Sequence, residues 1–178
     1  MKIAVYCASS TAVAPENLTL GFDLGVEIAR RGHELVWGGG AISVMGEVAK
    51  GARSLGGTTI GVIPERLMNV EFIDHESTEL HVVEDMRARK GAIEKLADSF
   101  IALPGGIGTL EEFFEIWVGR YLGFHSKSIA VLDPFDTYAS LRKALDDLTQ
   151  QNFMKPGQHE LVAWCSSINQ ALDHVTRK

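Results

Sequence analysis

Cysteine is scarce. Cys7 and Cys165 are the only two in 178 residues, and their spacing forms no metal-ligand pattern. Cys7 lies in an apolar run and Cys165 follows Val162-Ala163-Trp164. Both therefore read as small buried hydrophobes in a reducing compartment, not as a disulfide or a nucleophile. Long apolar runs are also missing. None reaches the roughly 18 residues that a spanning helix needs, so no membrane partner is expected. Lys2 is followed by a strand-like run and not by a signal-peptide h-region, which gives the expectation of a cytoplasmic protein. Positive charge is short as well: 17 Lys and Arg stand against 23 Asp and Glu, a net charge of −6. That argues against nucleic acid as a partner, though not against a local anion pocket. His33, His75, His81, His125, His159 and His174 are scattered without metal-ligand spacing, so no metal site is expected. There is no internal repeat, low-complexity tract or linker. A chain of this length then reads as one domain, residues 1–178.

Two phosphate-binding signatures are missing too. No G-x-x-x-x-G-K-[ST] occurs, and no turn completes G-x-G-x-x-G: Gly38 and Gly40 begin that spacing, but its sixth position is Ser43. Dinucleotide cofactors and ATP-driven phosphoryl transfer are both disfavoured.

What is present is strand–helix alternation. Short apolar runs at 3–7, 34–37, 58–63, 80–83, 100–103, 128–132 and 161–164 read as strands, several of them apolar throughout. Between them, 15–31, 43–55, 85–97, 109–122, 138–150 and 167–175 carry helical spacing. The pattern predicts an α/β fold that is Rossmann-like and doubly wound. Its mostly parallel sheet has about seven strands, with helices on both faces. Residues 64–79 are the least regular and read as a loop near the carboxyl edge of the sheet.

Three turns at that edge carry small or hydroxyl residues: Ala8-Ser9-Ser10-Thr11, Gly38-Gly39-Gly40, and Pro104-Gly105-Gly106-Ile107-Gly108-Thr109. The third leads straight into a helical pattern. Backbone N–H groups there can approach an anion, and the helix dipole favours negative charge. Glu111 and Glu112 follow within the first predicted turn. Both would suit the dipole, but adjacent helix positions point about 100° apart and cannot share one role. A pocket-facing carboxylate could stabilise a cationic transition state or activate water. Asp85-Met86-Arg87-Ala88-Arg89-Lys90 reads as an Asp85 N-cap followed by three cations. Cations at a helix N-terminus oppose the dipole, so an anionic ligand or carboxylate partners are expected to compensate.

Gly38-Gly39-Gly40, Met45-Gly46, Gly61-Val62-Ile63-Pro64, Met86-x-x-Arg89-Lys90 and the P-G-G-I-G-T-L-E-E run together resemble the Lonely Guy (LOG) family. The resemblance covers nearly the whole chain. It implies hydrolysis of the N-glycosidic bond of AMP or an N6-substituted (cytokinin) adenosine 5′-monophosphate, giving free base and ribose 5-phosphate. It also implies a homodimer and no metal or organic cofactor. By motif position, Arg89 and Glu112 match the family's catalytic pair. The substrate site would take in Ser9, Gly39, Gly40, Met45, Glu71, Met86, Lys90, Gly105, Gly106, Ile107, Gly108, Thr109, Leu110 and Glu111. Glu71 is matched by its distance before Arg89. Val118 stands where plant members carry a threonine. Two other functions remain open from the sequence: a broader purine and pyrimidine nucleotide 5′-monophosphate nucleosidase, and a non-catalytic nucleotide or cofactor carrier of the same fold.

Overall fold

A computed structural model describes residues 1–68 and 73–177. Seven strands form one sheet: β1 (Lys2–Tyr6), β2 (Glu34–Trp37), β3 (Thr59–Pro64), β4 (Glu79–Val83), β5 (Ser99–Ala102), β6 (Ile129–Leu132) and β7 (Val162–Cys165). Their order is β4-β3-β2-β1-β5-β6-β7, and every neighbouring pair is parallel. Among the described residues six helices flank the sheet, the first five between strands and the last after β7: α1 (Pro15–Arg30), α2 (Ser43–Ser54), α3 (Met86–Leu96), α4 (Ile107–Tyr121), α5 (Ala139–Gln150) and α6 (Ile168–Val175).

Strand periodicity sorts the core into two layers. Ile3 and Val5 of β1, with Cys7 just beyond it, join Leu24 and Ile28 of α1, Val48 of α2 and Leu172 of α6. Ala4 and Tyr6 face the other way, onto Ile93 of α3, Phe113 and Trp117 of α4, and Leu145 of α5. Helices thus cover both faces, as the apolar strands required.

The chain runs from β1 outward through β2, β3 and β4, then returns to the far side of β1 as β5. The strand order therefore reverses between β1 and β5. In open α/β sheets the crevice at the carboxyl ends of two such strands is where ligands bind. The turns after β1 and β5 are the serine turn and the glycine run singled out in the sequence.

The segment after β3 is less irregular than its composition suggests. Glu65–Leu67 forms a 3-10 turn. Beyond it, Asp74 N–H donates to the Gly39 carbonyl at 2.9 Å, and Ile73 bridges Gly40 antiparallel. Asp74 is buried and pairs with Arg53 of α2 at 2.5 Å. The returning strand of this loop is thus tied to the second glycine turn. Glu71 lies outside the described residues.

Both cysteines are buried and free of disulfides. Among the described residues, no group of three His, Cys, Asp or Glu side chains could hold a metal ion, and no helix is long and apolar enough to cross a membrane.

Candidate active site

A cavity of about 340 Å³ opens at the β1–β5 crevice. Ala8, Ser9 and Ser10 supply one wall, Met45 of α2 another, Met86 and Arg89 of α3 a third, and the start of α4 the fourth. From α4 and its cap come Gly106, Ile107, Gly108, Thr109, Glu111 and Glu112. The structure therefore brings ten of the sequence-predicted site residues to one cavity: Ser9, Met45, Met86, Arg89, Gly106, Ile107, Gly108, Thr109, Glu111 and Glu112. Gly39, Gly40, Lys90, Gly105 and Leu110 are not on its wall.

Arg89 enters from the first turn of α3. Asp85 caps that helix, its carboxylate accepting from Ala88 N–H at 2.8 Å, as the sequence predicted. Arg89 is buried, and Nε donates to the Val62 carbonyl of β3 at 3.1 Å. Nη2 donates to the Gly38 carbonyl at 2.9 Å, while Nη1 has Met86 Sδ at 3.8 Å. The guanidinium is thus held across the carboxyl ends of β2 and β3. Among the described residues it has no carboxylate within 4.0 Å, a costly state for a buried cation that an anionic ligand would relieve.

Gly38 explains why a side chain fits there. A Cβ at that position would lie 1.8 Å from Arg89 Nη2. The second glycine turn seats the arginine: Gly38 makes room for it, and Gly39 turns the chain with φ +74°. The Gly40 carbonyl accepts from Trp37 Nε1 at 3.2 Å.

Glu112 faces the cavity half-buried. Loss of hydration pushes its carboxyl up to about 7, partly opposed by the positive charge of Arg89. Glu111 is exposed and pairs with Lys90, which also reaches Glu115 at 2.8 Å. These partners hold Lys90 Nζ above its usual range. The cations of α3 are thus offset in two different ways: Lys90 by carboxylates on α4, Arg89 by backbone carbonyls.

Helix α4 begins two residues earlier than the periodicity indicated. Gly106 is its N-cap and Ile107 its first residue, so the two glutamates fall in the second turn, away from the strongest dipole field. Gly106 provides no side-chain cap, which leaves the first N–H groups without a side-chain acceptor. Thr109 is buried beneath the glycine turn, where a Cβ on Gly105 would meet its Oγ1 at 2.2 Å. Ile107 is 88% exposed at the mouth of the cavity beside Met86.

Two contributors escaped the sequence reading. Cys7 lines the cavity because it directly follows β1, ahead of the Ala8-Ser9-Ser10 turn, and burial pushes its thiol far up, so it stays protonated. Tyr138, at the entrance to α5, bonds to the glycine turn across the sheet edge. No local motif marks it; only the β6–β5 adjacency brings it there.

A family model described as "Possible lysine decarboxylase" matches residues 45–175. A cytokinin riboside 5′-monophosphate phosphoribohydrolase of Mycobacterium marinum is 44% identical over 170 residues, covering 96% of this chain and 90% of the relative. One from Arabidopsis thaliana is 37% identical over 161 residues, covering 90% and 75%. The chain belongs to the Lonely Guy family. Among solved structures, the molybdenum cofactor carrier protein of Chlamydomonas reinhardtii superposes with a TM-score of 0.72 at 24% identity, covering 97% and 93%. The molybdenum cofactor binding protein of Rippkaea orientalis gives 0.71 at 24%, with the same coverage. At that identity the likeness is one of fold. In this Lonely Guy chain the two family motifs occupy facing helix starts, Met86–Lys90 on α3 and the glycine run on α4, joined by the Lys90–Glu111 pair.

Proposed function

We propose that this protein hydrolyses the N-glycosidic bond of AMP or an N6-substituted adenosine 5′-monophosphate, releasing free base and ribose 5-phosphate. The observation that carries this reading is the pairing of a half-buried carboxyl, Glu112, with a buried guanidinium, Arg89, on one cavity beside an uncapped helix N-terminus. Membership of a family whose relatives bear the phosphoribohydrolase name supports it.

The 5′-phosphate sits against the first N–H groups of α4, where the helix dipole favours an anion, with Thr109 and the serine turn beside it. That anchorage fixes the ribose against Glu112. Cleavage of the C1′–N bond leaves positive charge on the sugar, as in glycoside hydrolysis. The Glu112 carboxylate stabilises that charge and orients water. The water oxygen bonds to C1′, the bonding pair leaves with the base nitrogen, and the water proton ends on the base. Arg89 keeps positive charge next to Glu112, which favours its ionised form. A carrier of the same fold has no use for a carboxyl desolvated at this cost.

A decarboxylase is the weaker reading. Pyridoxal phosphate chemistry needs a Schiff-base lysine. None is among the described residues on the cavity wall.

The protein works in the cytoplasm as a homodimer in this reading, through the apolar outer face of α4 and α5. The test of activity is chromatographic. AMP, isopentenyl-AMP and a pyrimidine monophosphate are each incubated with the protein, and base and ribose 5-phosphate are quantified. Release from the two adenine nucleotides is expected, with little from the pyrimidine. Equal release from all three favours the broader nucleosidase, and uncleaved bound nucleotide after long incubation favours a carrier.

A further inference from the structure

We infer that Tyr138 is a positioning residue for the glycine turn at residues 103–106, and through that turn for the phosphate end of the cavity. What the turn binds rests on the proposed function; how it is held does not.

Tyr138 belongs to neither family motif. It stands immediately before α5, beyond β6, yet its hydroxyl lies among three backbone atoms of the turn. Gly105 N–H donates to Oη at 2.7 Å, and the Leu103 and Gly105 carbonyls lie at 3.2 and 3.1 Å. A phenol has one donor and can accept from others, so it satisfies the Gly105 amide while donating to one carbonyl. Leu103 N–H still bonds to the Tyr6 carbonyl of β1 at 2.9 Å and the Gly106 carbonyl accepts from Leu110 N–H of α4 at 3.0 Å, but Gly105 between them belongs to neither element. The phenol therefore supplies a tie that secondary structure does not.

Tyr138 is itself fixed before it reaches the turn. It is buried, with 6% exposure. Its backbone N–H and that of Thr137 donate to the buried Asp133 carboxylate at 2.8 and 3.0 Å. Its ring meets Trp164 of β7 edge-on, with centroids 6.5 Å apart. Burial also pushes the phenol up to about 12, so the hydroxyl keeps its proton at working pH. Asp133, Tyr138 and Gly105 thus form a relay of fixed contacts from the end of β6 to the wall of the cavity. Gly106, the next residue, caps α4 and lines the cavity, and five residues on from Ile107 comes Glu112.

The variant Tyr138→Phe keeps the ring and removes only the hydroxyl. Backbone amide exchange by NMR and calorimetric binding of ribose 5-phosphate measure the consequence. Loss of one buried hydrogen bond corresponds to about tenfold. The Gly105 amide should exchange about tenfold faster, while amides within β1 keep their protection. Ribose 5-phosphate should bind several-fold more weakly. Unchanged exchange at Gly105 overturns the inference, as does uniform acceleration across the sheet, which would mark Tyr138 as merely structural. If the unaltered protein fails to bind ribose 5-phosphate, the functional reading falls, and the Gly105 exchange alone decides the role of Tyr138.

Discussion

Burial pushes the Glu112 carboxyl up to about 7 from an ordinary value of 4.5, so near neutral pH about half of it is protonated in the folded protein. That has two consequences of opposite sense. For catalysis the ionised form is needed, so kcat/KM should rise with pH through a limb near 7. The variant Glu112→Gln should lose the limb together with most activity, roughly a hundredfold or more. For stability the sign is reversed. Between about 4.5 and 7 the folded state holds a proton that the unfolded state has released, so stability falls as pH rises through that window. Removing the ionisable group removes that loss. Glu112→Gln should therefore be more stable than the unaltered protein at pH 8, by roughly 1–3 kcal/mol, and nearly equal at pH 4. Urea denaturation at the two pH values checks this. Equal stability at both would mean that the carboxyl is not desolvated in the native state.

Arg89 shows how secondary-structure elements, and not single side chains, assemble the site. Its helix begins at Met86, its guanidinium rests on the carboxyl ends of β2 and β3, and its space comes from the missing side chain of Gly38. Gly38→Ala should drive the guanidinium from that seat and lower kcat/KM by at least about tenfold. The double variant Gly38→Ala, Arg89→Ala should be no slower than Arg89→Ala alone, because both changes act on one group. Additive losses in the base-release assay would separate Gly38 from Arg89. The seven strands and six helices of the described residues were legible in the sequence, because apolar runs and helical spacing alternate everywhere except between β3 and β4. Asp85 was legible as a cap because its side chain acts locally. Elsewhere local reading failed. Nothing near Gly38-Gly39-Gly40 in sequence says that an arginine 51 residues later occupies the space. The cations of α3 called for an anionic ligand or carboxylate partners, and which carboxylates serve Lys90 was hidden because Glu111 and Glu115 lie on another helix. The start of α4 was read two residues late, because glycines that permit the helix also resemble the turn before it.

At the scale of the whole molecule, the reversal of strand order between β1 and β5 puts the cavity at one edge of the sheet and leaves the outer face of α4 free. That face is unusually apolar for a surface. Val118 is 51% exposed, and Phe124, which shares a cavity wall with it, 77%. Beside them a cavity of about 350 Å³ runs between α4 and α5, walled by Phe114, Trp117, Tyr121, Leu141 and Leu148 among others. A second copy of this chain is the proposed cover. A twofold interface uses the same patch on both copies, so one apolar face can cover its own counterpart, and a stable one covers about 800 Å² per partner. Val118 sits on this face in the last turn and a half of α4. Val118→Lys would place a cation from each copy in the apolar contact, where its desolvation opposes association. Light scattering should then find the unaltered protein at twice the chain mass and Val118→Lys at the chain mass. Circular dichroism should be unchanged, because Val118 is outside both core layers. A variant that stays dimeric would move the interface elsewhere and leave this face for a different partner.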